Sequence, residues 1–407
     1  MSLHIVTAAK DRPGLGRREI VVLGILSAIG PVGVDIYLPA FPTIARDLGT
    51  DIGSVQLSMA AYFLALALGQ LPYGAVSDRV GRKPPVLFGL VVFIAGSLVC
   101  ALAGNAQALI AGRFVQGLGI CSVLSIARAI VRDRQQGQDA AHTAARILLI
   151  VSVSPMLAPL AGSAIVGMGT WRHIFWLMAA LTTVVLFLAW KVLPETSETR
   201  HDATVAALAS KCLRLLRDTQ FLLPTAVLAA AQAGASIYLA GSSAVYLESY
   251  GLAPAAYSIA FAINAIGMIF AAQWNRRLIG KLGLATVPIL GTALGTLAIV
   301  LFLGAHLQAS ATLPVAAFCF FLFFTSFGFV MGPAAVLALE GHGHIAGAAA
   351  GLQGTIQFVS GAVAVAIVGS HANGGPGFML GVLMVSQTAA LVMAVACRIH
   401  AGRRTND

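Results

Sequence analysis

The chain has 407 residues, 58% of them hydrophobic and only 10% charged, with a formal net charge of +10. Soluble domains carry about 25% charged residues, so a chain this poor in charge could not cover a soluble surface, which excludes a soluble enzyme or nucleic-acid-binding domain. The apolar runs are long and unalternating, which excludes a β-barrel with its alternating segments and leaves membrane helices of about 20 apolar residues each.

The expected fold is all-α, with twelve transmembrane helices in two six-helix bundles around a central cavity. The predicted spans lie at roughly 20–41, 54–76, 85–104, 107–131, 143–167, 172–193, 222–247, 255–274, 286–305, 312–336, 346–369 and 378–399. Lys10 to Glu19 is polar and the run after it is longer than a signal core, so the N-terminus is not read as a cleavable signal. Pro194 to Gln220 is the longest stretch outside the spans. It divides the chain into an N-terminal bundle (1–193), a central loop (194–220) and a C-terminal bundle (221–407). An even span count puts both termini on one side. Of the 25 Lys and Arg, only Arg46 and Arg172 fall on the other side, and Arg113 lies within a span. Positive charge marks the cytoplasmic side, so both termini and the central loop are expected in the cytoplasm. The two halves would be parallel repeats about an axis normal to the membrane. At residue level only Gly280–Lys281 after the eighth span echoes Gly81–Arg82–Lys83 after the second.

The first span carries Asp35. Of the fifteen acidic residues it alone falls deep within a span. A charged side chain at membrane depth is costly and by default functional; the alternative is that it snorkels or pins neighbouring helices. Gly30–Pro31 and Gly33 precede it, and Tyr37, Pro39 and Pro42 follow. The second span carries Tyr62 and Gly69-Gln70-Leu71, and its loop reads Gly74-x-x-x-Asp78-Arg79-x-Gly81-Arg82-Lys83. Gly81 suits a tight reversal, and Asp78 can accept bonds from the cations or a helix N-terminus. The fourth span places Arg113 one turn from Gln116, a polar helix face. An Arg inside a span needs a carboxylate or a ring of acceptors; bonding backbone carbonyls of the first span would make Arg113 a brace within the bundle. The fifth span carries Pro155, Met156, Pro159 and Gly162. Kinks of this kind are tolerated where neighbours or a water-filled cavity satisfy the freed carbonyls.

The second half offers uncharged polar groups: Gln232, Ser236 and Tyr238 in the seventh span, Asn264 in the eighth, and Gln353 and Gln357 on one face of the eleventh. The tenth span is rich in Phe, from Phe318 to Phe329, mostly for packing or lipid contact. Five cysteines, none in a C-x-x-C pair, argue against a disulfide framework or a zinc site. His342 and His344 either bind a metal or sit in a solvated turn; the turn is the expectation. No H-E-x-x-H, acid pair or Ser/His pair points to an enzyme, and no re-entrant loop or charged ring points to a channel.

The loop after the second span resembles the signature loop of the major facilitator superfamily, in sequence and in position, and with the six-plus-six organisation the resemblance covers the whole chain. It implies a latch of Gly74, Asp78, Arg79, Gly81, Arg82, Lys83 and Asp133, with Asp78 meeting the start of the eleventh span and Arg82 pairing with Asp133. Arg113 with Gln116 resembles the family's fourth-span motif, linked to proton coupling. Pro155, Pro159 and Gly162 are similar to the antiporter motif G-P-x-x-G-G, with Ala158 and Ser163 in place of glycines. Asp35 to Pro42 resembles the first-span motif of the bicyclomycin and chloramphenicol resistance (Bcr/CflA) branch. Asn373-Gly374-Gly375 is similar to MdfA-type multidrug exporters, whose second, earlier acid is replaced here by Ser27.

The resemblance implies drug:proton antiport by alternating access. Asp35 and Arg113 would couple the proton. Asp35, Tyr37, Tyr62, Gln116, Met156, Gln232, Ser236, Asn264, Gln353 and Gln357 would meet a small lipophilic drug, phenicol-like, bicyclomycin-like or one of many. Ionised Asp35 would favour drug entry from the cytoplasm, and its protonation facing outward would favour release. No cofactor or metal is expected, only the proton gradient, and the protein would act as a monomer in the bilayer with no nucleic-acid partner. The other reading is a proton-coupled importer of a small metabolite or sugar.

Overall fold

Backbone groups in hydrocarbon find no water, so long apolar runs satisfy them internally as helices. The computed structural model describes residues 14–135, 137–196, 205–371 and 375–404. Among these, twelve helices are long and apolar enough to cross a membrane, and no strand occurs. They are Arg17–Asp47, Ile52–Val80, Lys83–Ala101, Ala106–Arg134, Gln138–Met168, Arg172–Val192, Thr219–Ser249, Pro254–Leu282, Val287–Leu307, Leu313–Leu339, Ala346–Ser370 and Gly375–Gly402, called here the first to twelfth spans. The face where the first begins and the twelfth ends is the terminal face; the opposite one is the distal face. Arg200, Asp202, Asn373 and Gly374 lie outside the described residues. Part of the central loop is itself helical, Val205–Leu215.

Local chemistry sets the helix ends. Asp51 accepts the Ser54 N–H at 2.6 Å and Asn105 the Ala108 N–H at 2.8 Å, satisfying donors the first turn leaves free. The third, eighth, ninth and tenth spans begin with proline in the first turn, where a missing N–H does no harm. The second and eighth spans both stop at a glycine with positive φ, Gly81 (95°) and Gly283 (83°). The partner of Gly81 six spans on is therefore Gly283, and not Gly280 as the residues alone suggest. Gly280 lies within the eighth helix, and a shared letter carries no record of backbone conformation.

The repeat is plain in the packing. The second span packs on the fourth as the eighth does on the tenth; the third on the fourth as the ninth on the tenth; the first on the fifth as the seventh on the eleventh. Across the halves, the second span meets the eleventh and the fifth meets the eighth, the two contacts a six-span shift interchanges. The second and eleventh touch along their length. Gly369 lies against the Gly53 carbonyl near the distal face, Phe63 stacks on Phe358 (6.1 Å) in between, and Gly351 abuts Leu71 toward the terminal face. The fifth and eighth are joined near the distal face, where the Ser258 hydroxyl donates to the Pro159 carbonyl at 2.8 Å.

The third and fourth spans meet on glycines. A Cβ added to Gly96 would lie 2.6 Å from the Gln116 amide nitrogen, and one on Gly112 would lie 2.6 Å from Cys100 Sγ. One heptad away, Gly89 and Gly119 face each other's helices with the same lack of room. Small residues let membrane helices approach closely and substitute dispersion contacts for the missing hydrophobic drive.

Both lead spans are broken near the distal face. The first runs as a helix to Asp35, tightens into a 3₁₀ turn at Leu38–Ala40 and resumes over Phe41–Asp47. Pro39 and Pro42 have no N–H to give the carbonyls of Asp35 and Leu38, so the α-helix cannot continue unbroken. The seventh widens into a π-helix over Ala244–Ser249.

Candidate transport site

The break in the first span puts Asp35 at the last residue of a helix, 5% exposed. It is the one buried Asp or Glu among the described residues. No hydrogen bond or ion pair joins its carboxylate to another described residue. Three phenol hydroxyls lie within electrostatic range of it: Tyr62 of the second span, Tyr238 of the seventh and Tyr257 of the eighth. The group therefore sits where the two halves face each other. Gly33, half a turn before it, lets the second span come close: an added Cβ would meet the Tyr62 hydroxyl at 3.2 Å. That hydroxyl donates to the Gly30 carbonyl at 3.2 Å.

Arg113 is fully buried and forms a second polar centre inside the first half. Its guanidinium is held between the rings of Tyr37 (4.2 Å) and Tyr62 (4.3 Å). Nη1 donates to Gln116 Oε1 at 2.7 Å, Gln116 Nε2 donates to Ser97 Oγ at 2.7 Å, and Ser97 donates to the Phe93 carbonyl at 2.8 Å. The close approach of the third and fourth spans brings Ser97 within reach of Gln116. Nε and Nη2 of Arg113 have no partner among the described residues. No ion pair joins Arg113 to Asp35, and no described bond links it to first-span carbonyls; two π faces and a carboxamide take their place. Tyr62 touches both centres.

The second-half candidates divide. Asn264 Nδ2 donates to the Tyr238 hydroxyl at 2.6 Å, on the side facing Asp35. Gln232 and Ser236 bond each other at 3.3 Å and pack toward the eleventh span, where Gly361 leaves room for Ser236. Gln353 is buried with Nε2 unpartnered, Gln357 is partly exposed, and so is Met156. Of the tenth-span phenylalanines, Phe320, Phe323 and Phe324 pack around Tyr238, while Phe318 is exposed.

At the terminal face Arg82 donates from Nε to Asp133 at 2.8 Å, and from Nη1 to Asp78 at 2.5 Å and Ser77 at 2.8 Å. Among the described bonds Asp78 meets Arg82, not the start of the eleventh span; Arg132 is what approaches that helix, near Gly347. Lys83 opens the third span and Arg79 closes the second, and a Cβ on Gly74 would meet open space. In the fifth span Pro155 and Pro159 lie inside the helix, and Gly162 packs against the Ile36 carbonyl at the first-span break. His342 is buried, not solvated: Nε2 lies 3.0 Å from Asp218 Oδ2. No metal-binding cluster occurs among the described residues.

The sequence pattern of the Major Facilitator Superfamily matches residues 23–365. The chain belongs to that superfamily. It is 33% identical over 359 residues to an uncharacterized MFS-type transporter of Bacillus subtilis (strain 168), YdgK, covering 86% of this chain and 87% of that one. It is 30% identical over 360 residues to the bicyclomycin resistance protein homolog of Haemophilus influenzae, covering 86% and 88%. In fold it is similar to a bacterial homolog of the human lysosomal transporter Spinster, solved inward-facing and unoccupied. The TM-score is 0.67 at 13% identity, over 94% of this chain and 95% of that one. The superfamily is one of multi-pass membrane transporters acting on small molecules.

Three groups escaped sequence reading. Tyr257 carried no signal beyond its place near the start of an apolar run. Ser258 bonds across the halves to a carbonyl that sequence does not show. Glu195 accepts the Arg82 N–H at 2.7 Å and the Lys83 N–H at 3.1 Å, capping the third span from the far end of the first bundle. A carboxylate straight after Pro194 was the available hint.

Proposed function

We propose that this chain exports small lipophilic antibiotics, phenicol- or bicyclomycin-like or of several kinds, in exchange for protons across a bacterial inner membrane, with both termini in the cytoplasm. The observation that carries the reading is Asp35: the one buried carboxylate among the described residues, at a helix break, with no described cation paired to it and within electrostatic range of tyrosines of both halves. A buried charge without a partner is expensive to keep, so either a proton or a bound substrate is needed to relieve it. Binding one is then exclusive of the other, which is the elementary requirement of exchange. The similarity to a bicyclomycin resistance protein homolog supports export of an antibiotic over import.

Transport follows from rocking of the two halves about this group. One proton moving down about 100 mV contributes about 2.3 kcal/mol, and one pH unit adds about 1.4 kcal/mol. Together they sustain roughly a 500-fold gradient of a neutral drug. The test is energised uptake of chloramphenicol or bicyclomycin into everted vesicles, with Asp35→Asn beside the parent. The parent accumulates drug on energisation, and Asp35→Asn does not. Undiminished uptake by Asp35→Asn refutes the coupling role, and energised loss of preloaded substrate from the parent supports import.

A further inference from the structure

A cavity of about 90 Å³ opens at the distal face between the second, seventh, eleventh and twelfth spans. One water needs roughly 10–15 Å³, so the space takes a group of several heavy atoms. Its lining includes Gln56, Glu248, Ser249, His371 and Phe378. Gln56 is 2% exposed. Its Nε2 donates to the Ala240 carbonyl at 3.1 Å, and its Oε1 has no donor among the described residues. Glu248 sits in the π-helical turn of the seventh span. Of the three acids on this face, Asp47 pairs with Arg172 and Trp171, and Asp51 caps the second span. Glu248 has neither kind of partner among the described residues. His371 stacks on Phe378 at 4.8 Å, giving the cavity an aromatic wall. Its Nδ1 lies 3.0 Å from the Ser370 hydroxyl and 3.1 Å from the Ile367 carbonyl oxygen, which fixes the ring against the end of the eleventh span.

A carboxylate, an orphaned carbonyl oxygen, a hydroxyl and an aromatic face share one preference: a compact cation whose N–H or N–CH₃ groups meet oxygens and π-clouds together. Of the chain's Lys and Arg the distal face holds Arg46, which bonds the Pro42 carbonyl, and Arg172, which pairs with Asp47. We propose that this cavity is a binding site for an ammonium group, formed by Glu248 and Gln56 at the outer ends of the seventh and second spans. It is separate from Asp35, and it would hold the ammonium of a lipid headgroup or of a soluble organic cation. The lipid tail or the rest of the cation would lie outside, because the cavity takes the head alone.

The site can be tested without transport. The full chain is placed in phosphatidylglycerol nanodiscs, which carry no ammonium, and equilibrium binding of radiolabelled tetramethylammonium is measured. Saturable binding is expected in the parent and in Asp35→Asn. It should weaken at least tenfold in Glu248→Gln and about threefold to tenfold in Gln56→Leu. Replacing half the lipid by phosphatidylethanolamine suppresses binding if the headgroup is the occupant and leaves it unchanged if soluble cations are. Both variants should elute as monodisperse protein with the parent's helical content, which separates lost binding from lost folding. Absence of saturable binding in the parent overturns the proposal, as does full binding by a folded Glu248→Gln. Loss of binding in Asp35→Asn would move the cation to the central site and overturn this one, while leaving the export reading intact. Failure of export by Asp35→Asn has no bearing on the distal site.

Discussion

Replacing Arg113 by methionine should change stability far less than replacing the tyrosine it rests on. The guanidinium is held by two ring faces and one carboxamide. A desolvated cation–π contact contributes about 2 kcal/mol, so two faces give about 4, and the charge-assisted hydrogen bond adds about 1.5–3 kcal/mol. Against this stands the desolvation of a fully buried charge, several kcal/mol even after relaxation. The two sums nearly cancel, so Arg113→Met, apolar and similar in volume, should shift stability by less than about 2 kcal/mol. Tyr37→Leu keeps the charge and removes one face. It should cost about 2 kcal/mol for that face and about 1 more for the ring contacts with Phe41 (4.8 Å) and Phe175 (6.1 Å). In the Arg113→Met background only the last part remains, so the coupling between the sites is about 2 kcal/mol. The assay is the unfolding midpoint of the purified protein and three variants at one scan rate. For a cooperative unit the size of the first half, that coupling appears as about 4–8 °C. Additive shifts, or an Arg113→Met variant less stable than Tyr37→Leu, would show that the rings are not what sustains the charge.

Arg82→Leu strips the partner from Asp133, whose side chain is 18% exposed, and from Asp78, 47% exposed. The first loss is that of a largely buried pair, about 3 kcal/mol, the second under about 1, and the melting midpoint at low and high salt checks both. Hydrogen bonds from the Ser54 backbone N–H, then its hydroxyl, hold the Asp51 carboxyl below the usual carboxylate range. A lowered folded-state pKa gives stability that is present above the ordinary carboxylate range and lost as pH falls through the lower folded value. Asp51→Ala should therefore cost about 1 kcal/mol at neutral pH and progressively less as the pH is lowered into the acid range, as read by denaturation midpoints across a pH series.

The twelve spans were legible because bilayer thickness imposes one length on every apolar run, and the family because Asp78, Gly81 and Arg82 keep a fixed spacing in a short loop. Asp35 stood out for a related reason: one acid in an apolar run is conspicuous in any composition. What surrounds it was not legible. Tyr238 and Tyr257 come from runs some two hundred residues away, and apolar periodicity carries no record of which helix face meets which. Arg113 was read as needing a carboxylate or carbonyls, because charge pairing is the familiar remedy. Two tyrosines at separations of 76 and 51 residues supply another that no spacing rule contains. His342 looked like a turn residue since its loop is short and polar; its burial comes from Phe221 and Asp218, at the start of another span.

The glycine-on-glycine seam between the third and fourth spans leaves no side-chain cushion in which one helix could slide past the other. Arg82 and Asp133 rivet the same two helices at one end, so the pair should behave as a single stiff beam. Whatever articulation the molecule performs must then occur at its other seams, with this beam carrying displacement undamped from the charged loop to the buried guanidinium.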